Sequence, residues 1–221
     1  IGGQTYQRNN NGDVLINPQN GLPIKTADYL PIGDRNPDFM IGLTNSFKYK
    51  NINLSFLLDI RKGGDIFNAN EEYLYTSGLS TRSLNREEPV VIKGVLSDGL
   101  ENSANPTINT IQLIPYTMGS TFYGSAFAES DFIERDINWL RLRDVTLAYM
   151  LPTPLLTKTN VIKSASAFIT ATELVMITNY TGADPSVNGT TPATSGSGAF
   201  GFDFGSLSLP RSVSFGLRLS L

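Results

Sequence analysis

The 221-residue sequence contains neither cysteine nor histidine. Without cysteine there is no disulfide framework, no thiolate metal site and no thiol nucleophile. Without histidine the chain has no imidazole acid–base group and no Ser-His-Asp triad of its own. Neither sign of charge dominates. The 17 Lys and Arg against 20 Asp and Glu leave a formal net charge of −3, which offers no basic footprint, so nucleic acid is not an expected partner. Long hydrophobic runs are missing too. No run exceeds five residues, and Leu174-Val175-Met176-Ile177 has four, whereas a transmembrane helix needs about 20. The chain opens with Ile1-Gly2-Gly3 rather than with Met and an apolar leader, so a processed or truncated N-terminus is expected. A missing helix leaves membrane strands open, because barrel strands place apolar residues only at every second position.

That alternation is what the sequence has. Ile52, Leu54, Phe56, Leu58 and Ile60 share one parity, against Asn53, Ser55, Leu57, Asp59 and Arg61. Near the C-terminus, Val213, Phe215, Leu217, Leu219 and Leu221 alternate with Ser212, Ser214, Gly216, Arg218 and Ser220. Period two puts each set on opposite sides of a sheet. Phe39 to Phe47 forms a third expected strand, with Phe39, Ile41, Leu43 and Phe47 on one face, and Lys48-Tyr49-Lys50-Asn51 turns it into a hairpin with the strand from Ile52. Trp139 to Met150 slips phase: Leu140 and Leu142 share a parity that Val145, Leu147 and Tyr149 do not. One extra residue near Arg143-Asp144 reconciles them, which predicts a β-bulge there. Ser164 to Thr178 is the fifth expected strand.

The connections are unequal. Lys48–Asn51 and Leu151–Lys163 are short, while 1–38, 62–136 and 179–208 are long, polar and rich in Gly, Asn, Ser and Thr. With strands alternating in direction, both short turns fall at one end and the long segments at the other, as in outer-membrane barrels. The expected organisation is an extracellular loop segment 1–38, a barrel hairpin 39–61 and a long extracellular loop 62–136. A second hairpin 137–178, an extracellular loop 179–208 and a C-terminal barrel strand 209–221 follow. Residues 192–208 are nearly low-complexity, in keeping with a mobile surface loop.

A soluble antiparallel sheet with one wet face also alternates. On that alternative the chain is a soluble β-sandwich that binds a glycan or a partner without transport. Three features favour an all-β, antiparallel transmembrane barrel segment. Strands of about ten residues tilted near 45° span a bilayer core, whereas soluble strands average five or six. Phe39, Phe47, Tyr49, Trp139 and Tyr149 sit near strand ends, where an interfacial aromatic girdle belongs. Gly216, Leu219 and Leu221 have the spacing of a C-terminal barrel-assembly signal, with Leu221 in place of the usual aromatic. Five strands cannot close a barrel, and an open edge in lipid leaves backbone groups unpaired. The strands are therefore expected to pair with others outside this sequence.

Motifs that carry chemistry elsewhere are chance matches here. Gly196-Ser197-Gly198-Ala199-Phe200-Gly201 fits G-x-G-x-x-G but lies outside any βαβ unit. Asp203-Phe204-Gly205 fits a kinase tripeptide whose partner loop needs histidine. Asn9-Asn10-Asn11-Gly12-Asp13 reads as a Gly-containing turn rather than a calcium loop. Glu71-Glu72, Glu87-Glu88 and Glu129-Asp131-Glu134-Asp136 are sequence neighbours in polar loops, not carboxylates on facing walls of a cleft. No catalysis, cofactor or metal is expected. The loop 62–136 carries Tyr73, Tyr75, Tyr116, Phe122, Tyr123 and Phe127. The first five are the candidate substrate-binding residues, suited to stacking on a sugar or gripping a peptide, although packing the loop against the barrel rim or a lid is the commoner use of such rings. Asn53, Ser55, Asp59, Arg61, Ser212 and Arg218 would line a lumen.

From Ile32 onward the chain resembles the C-terminal part of the SusC/RagA family of TonB-linked outer-membrane proteins of Bacteroidetes. The resemblance rests on an ordered set of segments. These are Gly33-Asp34-Arg35-Asn36-Pro37-Asp38-Phe39, Gly42-Leu43-Thr44-Asn45-Ser46-Phe47 with Tyr49, Asn53-Leu54-Ser55-Phe56, and Arg61-Lys62-Gly63-Gly64-Asp65-Ile66-Phe67-Asn68. Trp139-Leu140-Arg141-Leu142-Arg143-Asp144-Val145-Thr146-Leu147-Ala148-Tyr149 with Leu151-Pro152 comes next, then Thr178-Asn179-Tyr180-Thr181-Gly182-Ala183-Asp184-Pro185 and Leu209-Pro210-Arg211. Two positions depart from the family pattern: Glu173 stands where Asn is usual, and Ser186 where an acid is common. The resemblance implies the C-terminal strands of a large, plugged barrel of about 22 strands. It also implies TonB-dependent uptake of oligosaccharides or peptides in a SusCD-like complex, with a SusD-like surface lipoprotein as lid. The plug and the TonB-contacting segment lie N-terminal in the family. Membrane lipid or lipopolysaccharide would surround the wall in the cell outer membrane.

Overall fold

In the computed structural model the described residues are 1–156, 162–186, 188–189 and 199–220. The chain divides into two compact units. The first to be considered comprises Asn36–Gly64, Asp136–Pro185 and Leu207–Leu221; the second comprises Ile1–Arg35, Asp65–Arg135 and Ser186–Ser206.

The first unit is a five-stranded sheet of β1 (Phe39–Tyr49), β2 (Ile52–Lys62), β3 (Trp139–Met150), β4 (Ser164–Thr178) and β5 (Ser212–Ser220). The strands lie side by side in sequence order, and every pair is antiparallel. β1 runs two residues further than the alternation suggests, because Lys48 and Tyr49 go on pairing with Asn53 and Ile52. The turn is therefore only Lys50-Asn51, with Lys50 at φ 51°. Tight hairpins need such left-handed backbone, which a Lys adopts at some cost.

Cross-strand partners point to the same side of a sheet, so the register sorts the side chains. One row runs Phe47, Leu54, Leu147, Ile169, Phe215. Beside it lie Tyr49, Ile52, Tyr149, Ala167 and Leu217, and beyond the sheet centre Ile41, Ile60, Leu140 and Ile177. This face is apolar across all five strands, and it is open: Phe215 is 79% exposed, Ile177 62% and Phe47 57%. The opposite face carries the row Ser46, Ser55, Thr146, Thr170, Ser214. It is laced by side-chain hydrogen bonds such as Thr146 Oγ1 to Thr170 Oγ1 at 2.8 Å and Thr172 Oγ1 to Ser212 Oγ at 2.8 Å. A soluble sheet buries its apolar face; this one exposes it.

The bulge at Arg143 is present. β2 passes from Leu57 to Leu58 while β3 passes from Asp144 to Leu142, so Arg143 is the extra residue. It brings Leu142 and Leu140 back to the apolar face. A second bulge follows in β4, where Thr172 pairs with Asp144 and Val175 with Leu142. Its extra residue comes at Glu173-Leu174, and Glu173 has φ 53°. Asn is one of the few side chains that tolerate this conformation, and Glu is not among them. Glu173 is held instead by charge, 3.6 Å from Arg141 and 3.7 Å from Arg143.

One expectation is corrected. Trp139 pairs with Arg61 and Thr178, which puts it on the polar face rather than in an apolar-face girdle. It is buried, with the Arg61 guanidinium 4.9 Å from its ring centre. The phase slip is the cause, since the residues before the bulge have reversed parity. Gly216 pairs with Phe168, and a Cβ built there would run into the Phe168 ring, so the glycine seats an aromatic ring. Leu221, Gly196, Ser197 and Gly198 lie outside the described residues, as do 157–161 of the Leu151–Lys163 connection, which includes a helical turn at Thr153–Leu156. Among the described residues no helix is long and apolar enough to cross a membrane.

The second unit gathers segments that the sequence presents as loops. Gly2–Gly3 pairs with Leu30–Pro31, Leu15–Ile16 with Val95–Leu96, and Ile66–Asn68 with both Ile133–Glu134 and Phe202–Asp203. Its core packs Leu22, Tyr75, Leu113, Phe122, Tyr123, Ala126 and Phe132. The Asn9 side chain accepts from the N–H groups of Asn11 and Asp13 at 3.1 and 2.7 Å, so it stitches a turn. Asp203 does the same for Gly205 and Ser206, both at 2.9 Å. Among the described residues no three acidic groups converge as a metal site.

Candidate functional site

Within the second unit lies a cavity of about 470 Å³, inside the size range of small-molecule sites. Its walls are positioned by short, well-capped elements. The helix Ala69–Thr76 starts at Asn68, whose side chain accepts the Glu71 N–H at 2.9 Å, and carries Tyr75 in its last turn. Ser80 opens the single 3₁₀ turn Thr81–Ser83 by accepting the Arg82 N–H at 3.0 Å, and its hydroxyl donates to the Glu71 carboxylate. Two reciprocal backbone hydrogen bonds of 2.8 Å tie Val90 to Leu113. They bring the chain round to the helices Pro115–Met118 and Ser120–Ser125, which meet at Gly119 with φ 54°.

The aromatic wall is built around Tyr75. Its ring centre lies 4.6 Å from that of Phe127 and 5.4 Å from that of Tyr123, both edge-to-face, and Phe122 packs edge-on to Tyr123 at 5.5 Å. Such T-shaped pairs add about 0.5–1.5 kcal/mol each beyond simple burial. Tyr6 arrives from far away in sequence. Its hydroxyl is hydrogen-bonded to the Asp131 carboxylate and accepts the Ala128 N–H at 3.0 Å. Burial and then Asp131 push the Tyr6 hydroxyl well above the ordinary tyrosine value. Burial, reinforced by Tyr123 and opposed by Arg82, pushes Tyr75 up to about 12.

The remaining wall is cationic. Arg82, Arg86 and Lys93 line the cavity, with Asp131 as its one carboxylate. The Arg82 guanidinium stands 5.4, 5.7 and 5.4 Å from the ring centres of Tyr75, Phe127 and Phe132. Of the five sequence candidates, Tyr75, Phe122 and Tyr123 line this cavity. Tyr73 and Tyr116 lie outside its lining, each 67% exposed. Sequence reasoning missed Tyr6 and the three cations. The four-residue spacing of Arg82 and Arg86 was the available signal; Tyr6, 125 residues from Asp131, gave none. The acidic clusters prove to be occupied separately: Glu129 by the Gln4 N–H, Glu134 by Asn68 at 2.7 Å and Asp136 by Lys62 at 2.8 Å.

The chain matches TonB-dependent receptor P3 of Formosa agariphila with 26% identity, over 94% of this chain and 19% of that protein. TonB-dependent receptor P26 of the same organism matches with 27% identity, over all of this chain and 20% of that one. Among solved structures, the RagAB peptide importer in its open–open state superposes over the whole chain and 22% of its own, with a TM-score of 0.55 and 16% identity. Along its whole length the chain is similar to TonB-dependent receptors. No family model matches it. The chain spans about a fifth of the length of the curated receptors it matches. These relatives carry the names of receptors and of an importer rather than of enzymes. The mostly antiparallel sheet of this chain follows the importer's fold.

Proposed function

We propose that this chain forms wall and extracellular loops of an outer-membrane β-barrel, in a receptor that takes up oligosaccharides or peptides with TonB-derived energy. On this reading it belongs to the barrel subunit of a SusCD-like transporter, capped by a SusD-like lipoprotein. The observation that carries the proposal is the sheet itself: one face apolar and open across five strands, the other polar and hydrogen-bonded. An 11-residue strand at roughly 3.3 Å per residue and a 45° tilt rises about 25 Å, the height of an outer-membrane apolar band. Sheet edges in lipid must be paired, so β1 and β5 would each meet a further strand of the same receptor. The names of the relatives support TonB dependence, and the peptide importer supports peptide as one cargo class. In the cavity of the second unit Tyr75, Phe122 and Tyr123 would supply rings for stacking on cargo, while Tyr73 and Tyr116 are exposed.

The test is electrophoresis of outer-membrane extract with and without boiling. A receptor band that migrates faster unboiled supports a closed barrel. A carbonate-soluble, heat-insensitive species would sink the transport reading and leave the soluble binding module in its place.

A further inference from the structure

The cavity's charge is out of balance with its surroundings. Three cations, Arg82, Arg86 and Lys93, face one carboxylate, Asp131. That carboxylate is already engaged by the Tyr6 hydroxyl and by the Ala128 N–H at 3.0 Å. Among the described residues none of the three cations forms an ion pair with a carboxylate. Arg82 and Lys93 are exposed and Arg86 is half-buried, so the three like charges gather at the cavity's rim beside an apolar wall and repel one another there. A site of this kind is relieved by an anion. The rings beside the cations add a shape requirement. Tyr75 and Phe127 present a wall to which Arg82 is held by cation–π contact, so its planar fork is fixed beside an aromatic surface. A guanidinium fork binds a carboxylate through two parallel hydrogen bonds, while an aromatic wall accepts a flat or chair-shaped ring.

We infer that this cavity is an anion-selective subsite for a carboxylate carried on a ring, with Arg82 as the recognising group and Arg86 and Lys93 supplying supporting charge. The ring could belong to a uronic sugar or to the aromatic C-terminal residue of a peptide. Both present a carboxylate next to a ring face. The inference rests on the uptake reading only for the nature of the cargo, since binding can be measured without transport.

The experiment is calorimetric titration of the intact, detergent-purified receptor with two matched pairs. One pair is trigalacturonate and its neutral methyl ester. The other is a tripeptide ending in Phe with a free or an amidated C-terminus. In at least one pair the charged member binds about 10-fold to 100-fold tighter, the worth of a charge-assisted hydrogen-bonded contact. Which pair responds identifies the source of the ring. Arg82→Gln abolishes the preference, and Arg82→Lys restores part of it. Arg86→Gln weakens the charged member by a smaller factor. The late alkaline titration of Tyr75 serves as the check that each variant keeps the wall folded. Equal affinities within both pairs, or no binding of any of the four probes to the unmodified receptor, overturn the inference. Uptake in cells, scored on the same variants, tests the transport reading separately.

Discussion

Val145 lies within a residue of the middle of β3, on the apolar face, paired with Phe56 and Ala171. Ser55 lies at nearly the same level on the polar face of the neighbouring strand, paired with Ser46 and Thr146. Replacing each by Arg asks which side of the sheet meets lipid. An Arg at the lipid-facing midplane of a barrel costs about 2–4 kcal/mol, against 0–1 near the interfaces. With about 1.4 kcal/mol per factor of ten, Val145→Arg lowers the folding equilibrium constant by roughly 30-fold to nearly 1000-fold. Ser55→Arg faces polar neighbours and stays within about 1 kcal/mol. The assay is urea titration of the receptor in lipid vesicles, read as the fraction of the heat-modifiable band. Equal urea midpoints for the two variants, or a higher midpoint for Val145→Arg, would refute a lipid-facing apolar surface. A water-facing one would take the Arg at almost no cost.

Other consequences are as specific. Burial raises Tyr75 to about 12, so its neutral form is favoured in the fold. The stabilisation is complete below about 10, the ordinary tyrosine value, and is lost as pH rises towards 12; Tyr75→Phe removes a late component from the alkaline absorbance titration. Gly216→Ala drives a methyl into the Phe168 ring and costs about 1–3 kcal/mol, whereas combining it with Phe168→Ala costs less than the sum, as a double-mutant urea series would show. Arg141 is only 2% exposed and donates to Asp184 at 2.6 Å. Asp184→Ala therefore costs about 3–5 kcal/mol, read as a fall in urea midpoint well beyond that of Asp184→Asn.

The strands were legible because a half-buried strand writes its two faces into alternate residues. Ser164–Thr178 and Trp139–Met150 have the bounds that the pattern indicates, and the parity switch in Trp139–Met150 located the bulge at Arg143. The bulge in β4 was hidden. Ile169, Ala171, Val175 and Ile177 keep one parity across it, so the sequence pattern carries no signature of it, and only the odd Glu173 marks the place. Trp139 misled because its position near a strand end counted for more than its parity. The cavity was legible only in its local part. Tyr75, Phe122 and Tyr123 come from one aromatic-rich loop, but Tyr6 is brought in by backbone pairing of short segments that carry no periodic signal.

The two bulges also govern how the sheet answers insertions and deletions. Because Arg143 is a spacer, removing it moves no atom far along the strand, yet it turns over everything from Trp139 to Leu142. Leu140 and Leu142 would cross to the hydrogen-bonded side, and Arg141 would leave Asp184 and point out of the apolar surface. Substituting residue 143 disturbs its ion pairs with Asp59 and Glu173, while deleting it inverts a third of a strand. Sequences related to this one should therefore vary freely in the identity of residue 143 and hold its presence fixed. Where the spacer is lost, the extra residue at Glu173-Leu174 should be lost with it, so that neighbouring strands stay in step.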